Sequence, residues 1–115
     1  MRRGEIRLAD LDPSPGSQAS KRRPVVIASN DGANATADPL GRGAVTVVPV
    51  TSYVAHIQPF QVMLPAGQTG LDLDSKAQAE QVRPIEVERL GARIGHLTTG
   101  LGLRLDQALR LHLGL

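Results

Sequence analysis

The chain has 115 residues, a net charge of +2 and 41% hydrophobic residues, which predicts a single domain over residues 1–115 and excludes a disordered chain. It has no cysteine, which excludes disulfide bonds, thiolate catalysis and cysteine–zinc sites and fits a reducing compartment. Because no segment has the apolar length of a signal peptide or a membrane span, we expect a cytoplasmic protein without membrane contact.

The first half of the chain predicts three strands separated by two loops. Polar and apolar residues alternate through Ile6, Leu8 and Asp10, as in a half-buried strand. A segment dense in turn formers begins at Asp12 and predicts a loop of roughly ten residues. The continuous apolar run Pro24–Ser29 is typical of a strand buried on both faces. Residues 31–43, which are rich in Gly, Asn, Asp and Pro, are predicted to form a second loop.

The next strand is predicted over Ala44–Val50, where Pro49 indicates an edge strand or a bulge. Further strands are predicted over Phe60–Leu64, Lys76–Val82 and Arg93–Leu97, with a turn or a single helical turn at Gly70–Ser75 and a helical segment at Ile85–Leu90. A helix is predicted over residues 99–112, with Thr98 or Thr99 as its N-cap and Gly114 as its stop signal. Five or six short strands followed by a helix indicate an α+β fold with a small, strongly bent sheet or barrel.

Most familiar catalytic motifs are missing from the sequence. His56, His96 and His112 lack metal-ligand spacing, and Asp72 and Asp74 lack the further ligands of a calcium loop, so no metal site is expected. The chain has only two aromatic residues, Tyr53 and Phe60, which predicts an aliphatic core and argues against a multi-aromatic platform for single-stranded nucleic acid.

One basic segment stands out. Residues 1–23 hold six basic and three acidic residues, a net +3, and the rest of the chain holds seven basic and eight acidic residues, a net −1. Lys21, Arg22 and Arg23 end the predicted loop, and Pro24 fixes the backbone next to Arg23. This segment is either a solvated basic run or a phosphate-binding site.

Six segments, in order along nearly the whole chain, resemble the MazF/PemK family of toxin endoribonucleases. They read RRGEI, DLDPSPGSQ, KRRPVVIASND, VTVVPVTS, LDLDSKAQAEQVR and ALRLHLGL. The resemblance implies an SH3-like barrel with a C-terminal helix, shared with the Kid and CcdB toxins. It also implies a homodimer that cuts single-stranded RNA at short sequences without a metal or cofactor, and a MazE-like antitoxin that blocks it.

The resemblance assigns catalytic roles to Arg23 and Thr51. Together with the basic charge, it nominates as RNA-binding residues Arg3, Gly16, Ser17, Gln18, Lys21, Asn30, Ser52, Glu80 and Gln81. Two positions depart from the family pattern. Gln18 stands where many relatives have an acid, and Arg7 replaces an aromatic residue in the first strand.

RNA cleavage fits these residues because it needs the RNA's own 2′-hydroxyl as nucleophile, proton transfer and cationic stabilisation of the phosphorane. A guanidinium suits stabilisation better than proton removal, so Arg23 is expected to act electrostatically and Thr51 to donate a hydrogen bond. The alternatives are a CcdB-like toxin that binds DNA gyrase, although the C-terminus has no aromatic residue, and a catalytically inactive RNA-binding module. Val47, Val50 and the C-terminal helix are candidates for the dimer interface.

Overall fold

Seven antiparallel strands form one sheet in the part of the chain that the computed structural model describes, residues 1–11, 22–40 and 43–115. The strands are β1 (Glu5–Asp10), β2 (Arg22–Ile27), β3 (Ala44–Thr51), β4 (Gln61–Leu64), β5 (Ser75–Gln78), β6 (Arg83–Glu86) and β7 (Leu90–His96). Their order is β4-β5-β3-β2-β1-β7, with β6 also paired to β3. The predicted α+β class is confirmed. The outer strands β4 and β7 do not pair, so the barrel is open between them.

Three helices accompany the sheet: α1 (Asp31–Leu40), α2 (Ala66–Thr69) and α3 (Thr99–Leu113). The prediction for α3 is confirmed at both ends. The Thr98 side chain accepts a hydrogen bond from the Leu101 N–H at 3.2 Å, which makes Thr98 the N-cap. At the other end, Gly114 has the left-handed conformation, with φ 72°, that terminates a helix.

The prediction that Pro49 marks an edge or a bulge is wrong, because β3 is an inner strand with β2 on one side and β6 and β5 on the other. The Thr46 carbonyl points toward β2, because it accepts hydrogen bonds from the N–H groups of Ala28 and Ser29, which follow that strand. Backbone groups alternate in direction along a strand, so the Pro49 nitrogen, three residues later, points away from β2. There it lies between Val47, the last residue paired with β6, and Val50, the first paired with β5. The missing N–H therefore removes no ladder hydrogen bond.

The second predicted loop contains α1, which the composition of residues 31–43 did not indicate. Asn30 caps this helix by accepting a hydrogen bond from the Ala33 N–H at 2.8 Å. Asn34 is fully buried and exchanges hydrogen bonds with the Ser29 hydroxyl and carbonyl at 2.6 and 2.9 Å, and Ala37 packs into the core. Tertiary contacts thus stabilise a segment of low helix propensity.

Other boundaries also differ from the predictions: β2 spans Arg22–Ile27 instead of Pro24–Ser29, and β7 begins at Leu90 instead of Arg93. The strand predicted to reach Val82 ends at Gln78 and continues as a 3-10 turn over Ala79–Gln81. The predicted helical segment at Ile85–Leu90 consists of the end of β6 and a 3-10 turn over Val87–Arg89. The turn at Gly70–Ser75 is preceded by the short helix α2, which was not predicted.

The sheet has an aliphatic core on each face. One face packs against α3 through Leu101, Leu105 and Ala108, and the other packs against α1 and β6 through Ala37 and Ile85. Val47 is fully buried and Val50 is 4% exposed in these cores, so neither is available for a dimer interface, contrary to the prediction. The exposed leucines of the C-terminal region are Leu103, Leu111, Leu113 and Leu115.

Candidate active site

The two residues with predicted catalytic roles lie at the same end of the sheet. Strands β2 and β3 pair in the register Val25 to Pro49, Val26 to Val48 and Ile27 to Val47. If this register is continued by two residues beyond Val25 and Pro49, Arg23 stands opposite Thr51. Because β2 begins and β3 ends here, the side chains lie at the exposed rim while the strands behind them are buried.

A cleft of about 770 Å³ opens at this rim. It is lined by Leu8, Arg22, Arg23, Pro24, Val50, Thr51, Ser52, Gly70, Leu71, Asp72, Leu73, Ser75 and Ile94. The structure therefore brings three of the nominated residues, Arg23, Thr51 and Ser52, into one cleft. The Thr51 Oγ1 accepts a hydrogen bond from the Tyr53 N–H at 3.2 Å, which leaves the hydroxyl proton available for a ligand. A guanidinium next to two hydroxyls is suited to holding a phosphate.

Arg22 contributes a second cation that the sequence analysis set aside in favour of Arg23. It lines the cleft, pairs across the sheet with Asp10, and lays its guanidinium against the bare Cα of Gly91, where an added Cβ would clash. The basic run Lys21–Arg23 was the available signal, but a run of three cations does not reveal which of them reach a common cleft.

The opposite wall of the cleft, residues 70–73, was also missed. Asp72 was considered only as a calcium ligand, yet it is the acidic member of the described lining residues. This wall follows α2, whose last residue, Thr69, packs against Gly95 of β7 so closely that a Cβ there would lie 2.9 Å from the Thr69 carbonyl carbon. The contact joins distant parts of the chain, so no local pattern could indicate it.

Arg3 and Asn30 lie at the other end of the sheet, away from the cleft. Arg3 donates to the Asp106 carboxylate and to the Ala28 carbonyl, each at 2.8 Å, and its backbone N–H donates to Asp31 at 2.7 Å. Asn30 lies beyond the far end of β2 and caps α1. The structure thus gives both residues a role in the fold and does not bring them to Arg23.

Glu80 and Gln81 lie in the 3-10 turn after β5 and do not line the cleft. One Glu80 carboxylate oxygen accepts a hydrogen bond from the Gln61 side chain at 2.6 Å, and the other is buried with no hydrogen-bond partner among the described residues. Gln81 is exposed. Their assignment as RNA-binding residues therefore requires a surface other than the cleft.

Four nominated residues, Gly16, Ser17, Gln18 and Lys21, lie outside the described residues. Within residues 1–11, 22–40 and 43–115, no group of three or more His, Asp or Glu side chains is placed to hold a metal ion. None of the helices described is both long and apolar enough to cross a membrane.

Comparison with known proteins gives one consistent family. A family model described as a PemK-like, MazF-like toxin of type II toxin–antitoxin systems matches residues 2–113. The chain is 58% identical to a Mycobacterium tuberculosis protein named endoribonuclease MazF9, over all of this chain and 98% of that protein. It is 34% identical to the Bacillus subtilis protein named endoribonuclease EndoA, over all of this chain and 96% of that protein. Among solved structures, the M. tuberculosis toxin MazF-mt6 superimposes with a TM-score of 0.75 at 26% identity, over 96% of this chain and 97% of that one.

Proposed function

Since this chain belongs to the PemK-like, MazF-like toxin family of type II toxin–antitoxin systems, we propose that it is an endoribonuclease toxin. It cuts single-stranded RNA at short sequences in the cytoplasm, inhibits translation and growth, and is neutralised by a MazE-like antitoxin. The relatives named endoribonucleases support the activity. The observation that carries the proposal is that Arg23 and Thr51, from the adjacent strands β2 and β3, line one cleft.

The proposed reaction is a transesterification within the RNA. The 2′-oxygen attacks the adjacent phosphorus, the bond from phosphorus to the 5′-oxygen breaks, and the products carry a 2′,3′-cyclic phosphate and a 5′-hydroxyl. The proton of the 2′-hydroxyl passes to a base, and the 5′-oxygen gains one. Arg23 stabilises the charge that develops on the phosphorane, and Thr51 donates a hydrogen bond to a phosphoryl oxygen. In this scheme the RNA supplies the nucleophile and Arg23 supplies the stabilising positive charge, so no step requires a metal ion.

The amide of Gln18 cannot accept the 2′-proton as a carboxylate would. Asp72 is a carboxylate that lines the same cleft as Arg23. The RNA-binding assignments of Gly16, Ser17 and Gln18 follow the family pattern, that of Lys21 follows the basic charge of the segment, and all four are part of this proposal.

The same cleft suits an antitoxin. Two arginines line it, Arg22 and Arg23, against one acidic residue, Asp72, so an extended acidic segment of the antitoxin can compete with RNA for it. We also propose a homodimer. The exposed leucines of the C-terminal region (Leu103 at 60%, Leu111 at 58%, Leu113 at 54% and Leu115 at 82% exposed) give it an apolar surface on and just after α3.

The test is cleavage of a mixed RNA pool in excess EDTA, with sequencing of the fragment ends. We expect cuts at a short recurring sequence, with 2′,3′-cyclic phosphate and 5′-hydroxyl ends, at a rate that magnesium does not raise. Cleavage that returns only with added metal would contradict the mechanism. RNA that is bound but never cut would identify an inactive RNA-binding module instead.

Arg23→Ala is the decisive variant. Loss of a charge-stabilising group costs about 10²–10³ in rate, and Arg23→Lys is expected to be nearly as slow because the planar fork is lost. Arg104→Ala, which removes an exposed arginine on α3, is the matched control and should cut at the wild-type rate. A folded Arg23→Ala protein that cuts within a few-fold of wild type would refute the assignment.

A further inference from the structure

Tyr53 presents an exposed aromatic ring at the margin of the cleft. It follows directly after Thr51 and Ser52, which line the cleft, and its N–H is bonded to the Thr51 hydroxyl oxygen at 3.2 Å. Its side chain is 62% exposed, which is unusual for a large ring in a protein with so few aromatic residues. Phe60, the other aromatic residue, lies against the His112 ring with centroids 6.3 Å apart.

A buried cation holds the Tyr53 ring in place. Lys76 of β5 lies directly opposite Thr51 in the sheet and is 6% exposed. Its ammonium donates a hydrogen bond to the His56 carbonyl at 2.6 Å and lies 5.6 Å from the centroid of the Tyr53 ring. A buried ammonium is costly without such partners. The two contacts therefore tie the segment between β3 and β4 to β5 at two points.

The positions of Tyr53 and Lys76 in the chain place the tyrosine ring beside RNA bound in the cleft. Ser52, the neighbour of Tyr53, and Ser75, the neighbour of Lys76, both line the cleft, so the ring lies at its edge between these two strands. The ammonium lies over one face of the ring, and Tyr53 is still 62% exposed. Two residues span at most about 7 Å, so a phosphate held by Thr51 brings an adjacent base within reach of the ring.

We propose that the Tyr53 ring stacks on a nucleobase next to the phosphate held by Arg23 and Thr51, and that Lys76 is its positioning residue. The inference rests on the proposed cleavage of single-stranded RNA. Since every base has a π-face, stacking of this kind adds affinity at any sequence instead of selecting one base. The scarcity of aromatic residues excludes a platform of several rings. A single ring that is already held in place can stack on one base without further rings beside it.

The chain provides its own reporter, because Tyr53 is the sole tyrosine and there is no tryptophan. The probe is a 2′-O-methyl oligonucleotide that spans a site cut by the wild-type protein and cannot itself be cut. We expect tyrosine fluorescence to be quenched as this RNA binds, with a midpoint that matches the Kd from anisotropy of the labelled RNA.

Substitution separates stacking from a purely structural role. Tyr53→Ala should weaken binding of this RNA by about 5- to 150-fold, the equivalent of 1–3 kcal/mol, with the melting temperature lowered by only a few degrees, because the cation–π contact to Lys76 is lost. Tyr53→Phe keeps the ring and should bind within about threefold of wild type. Ile57→Ala is the matched control, because Ile57 is a 43% exposed apolar residue of the same segment, and it should bind as wild type does.

The positioning role of Lys76 has a separate readout. Lys76→Met should raise KM for cleavable RNA and leave kcat nearly unchanged, and Lys76→Arg, which keeps a cation under the ring, should restore most of the loss. Tyr53→Ala should then have a smaller effect in the Lys76→Met background. A parallel fall in kcat and thermal stability, without rescue by arginine, would mark Lys76 as structural only.

The outcomes also distinguish this inference from the function on which it rests. Normal cleavage by wild type, together with unquenched fluorescence and a Tyr53→Ala protein that binds within twofold, would overturn the stacking role and leave the endoribonuclease intact. A wild-type protein that neither cuts nor binds RNA would overturn the proposed function and this inference with it.

Discussion

Gly95 is the position where we expect an added methyl group to distort the cleft most. It lies in β7 against the end of α2, where an added Cβ would lie 2.9 Å from the Thr69 carbonyl carbon, 3.4 Å from the Gly70 Cα, and closer still to the Thr69 carbonyl oxygen. These are backbone atoms, so no side-chain rotation can relieve the contact. In Gly95→Ala, α2 and the cleft wall that follows it must move away from the sheet.

The size of the effect follows from the rigidity of the contact. Overpacking a core usually costs about 1–3 kcal/mol, and a rigid backbone obstacle favours the upper end. The Thr69 hydroxyl donates to the Pro65 carbonyl at 2.9 Å and accepts from the Leu71 N–H at 3.3 Å, so α2 and the wall are tied together and must move as one. We therefore expect Gly95→Ala to lower the free energy of unfolding by about 3 kcal/mol, or about 12 °C in Tm for a chain of this length.

Thermal unfolding at one fixed protein concentration measures this effect, and cleavage of RNA well below the Tm measures the displacement of the wall. Gly67→Ala is the matched control, because it adds the same methyl group to α2 where no atom lies within 4 Å. It should be neutral or stabilise by up to about 1 kcal/mol and leave cleavage unchanged. A Gly95→Ala protein that melts within 3 °C of wild type would refute the described packing of α2 on β7.

Three further predictions concern α3 and the charge of the cleft. Thr98→Ala removes the N-cap bond to the Leu101 N–H and should lower the Tm by about 4 °C, the equivalent of about 1 kcal/mol, whereas an equal loss from Thr99→Ala would contradict the capping assignment. Gly102→Ala adds a Cβ that meets nothing within 4 Å and should raise stability in denaturant by up to about 1 kcal/mol; a lower midpoint would show that the helix face is not open. The Kd for uncleavable RNA should rise steeply with salt, with a slope of about 0.7 per neutralised phosphate, and Arg22→Ala should reduce that slope by about one phosphate; an unchanged slope would place Arg22 outside the contact.

The elements that could be predicted from the sequence are those specified by local signals. The α3 helix carries its N-cap at Thr98 and its stop at Gly114 within its own segment, and both act as expected. The buried run after Pro24 is continuous and β-branched, which leaves few alternatives to an inner strand. In these segments local propensity and tertiary packing favour the same structure.

The elements that could not be predicted depend on partners distant in the chain. The helix α1 contains Gly, Pro, Asn, Thr and Asp besides its three alanines, which lowers its helix propensity, and it is stabilised by Asn34 and Ala37 in the core. Strand β6 is too short to show a pattern and exists through its pairing with Ala44–Val47 of β3. The wall of the cleft at Asp72 is likewise positioned by the contact between α2 and β7. Composition indicates loops in all such places because it contains no information about the partner.

The same distinction explains what could be inferred about the candidate site. Family resemblance assigned Arg23 and Thr51, but their juxtaposition is a property of strand register. Val25 and Ile27 pack into one aliphatic core and Val26 packs into the other, so a slip by one residue would exchange side chains between the two cores and disrupt the close packing of both. The aliphatic core thereby fixes which residue of β3 stands opposite Arg23. Two polar side chains at the ends of the strands are held in register by buried residues that never touch the substrate, and the geometry of the site is as stable as the pairing behind it.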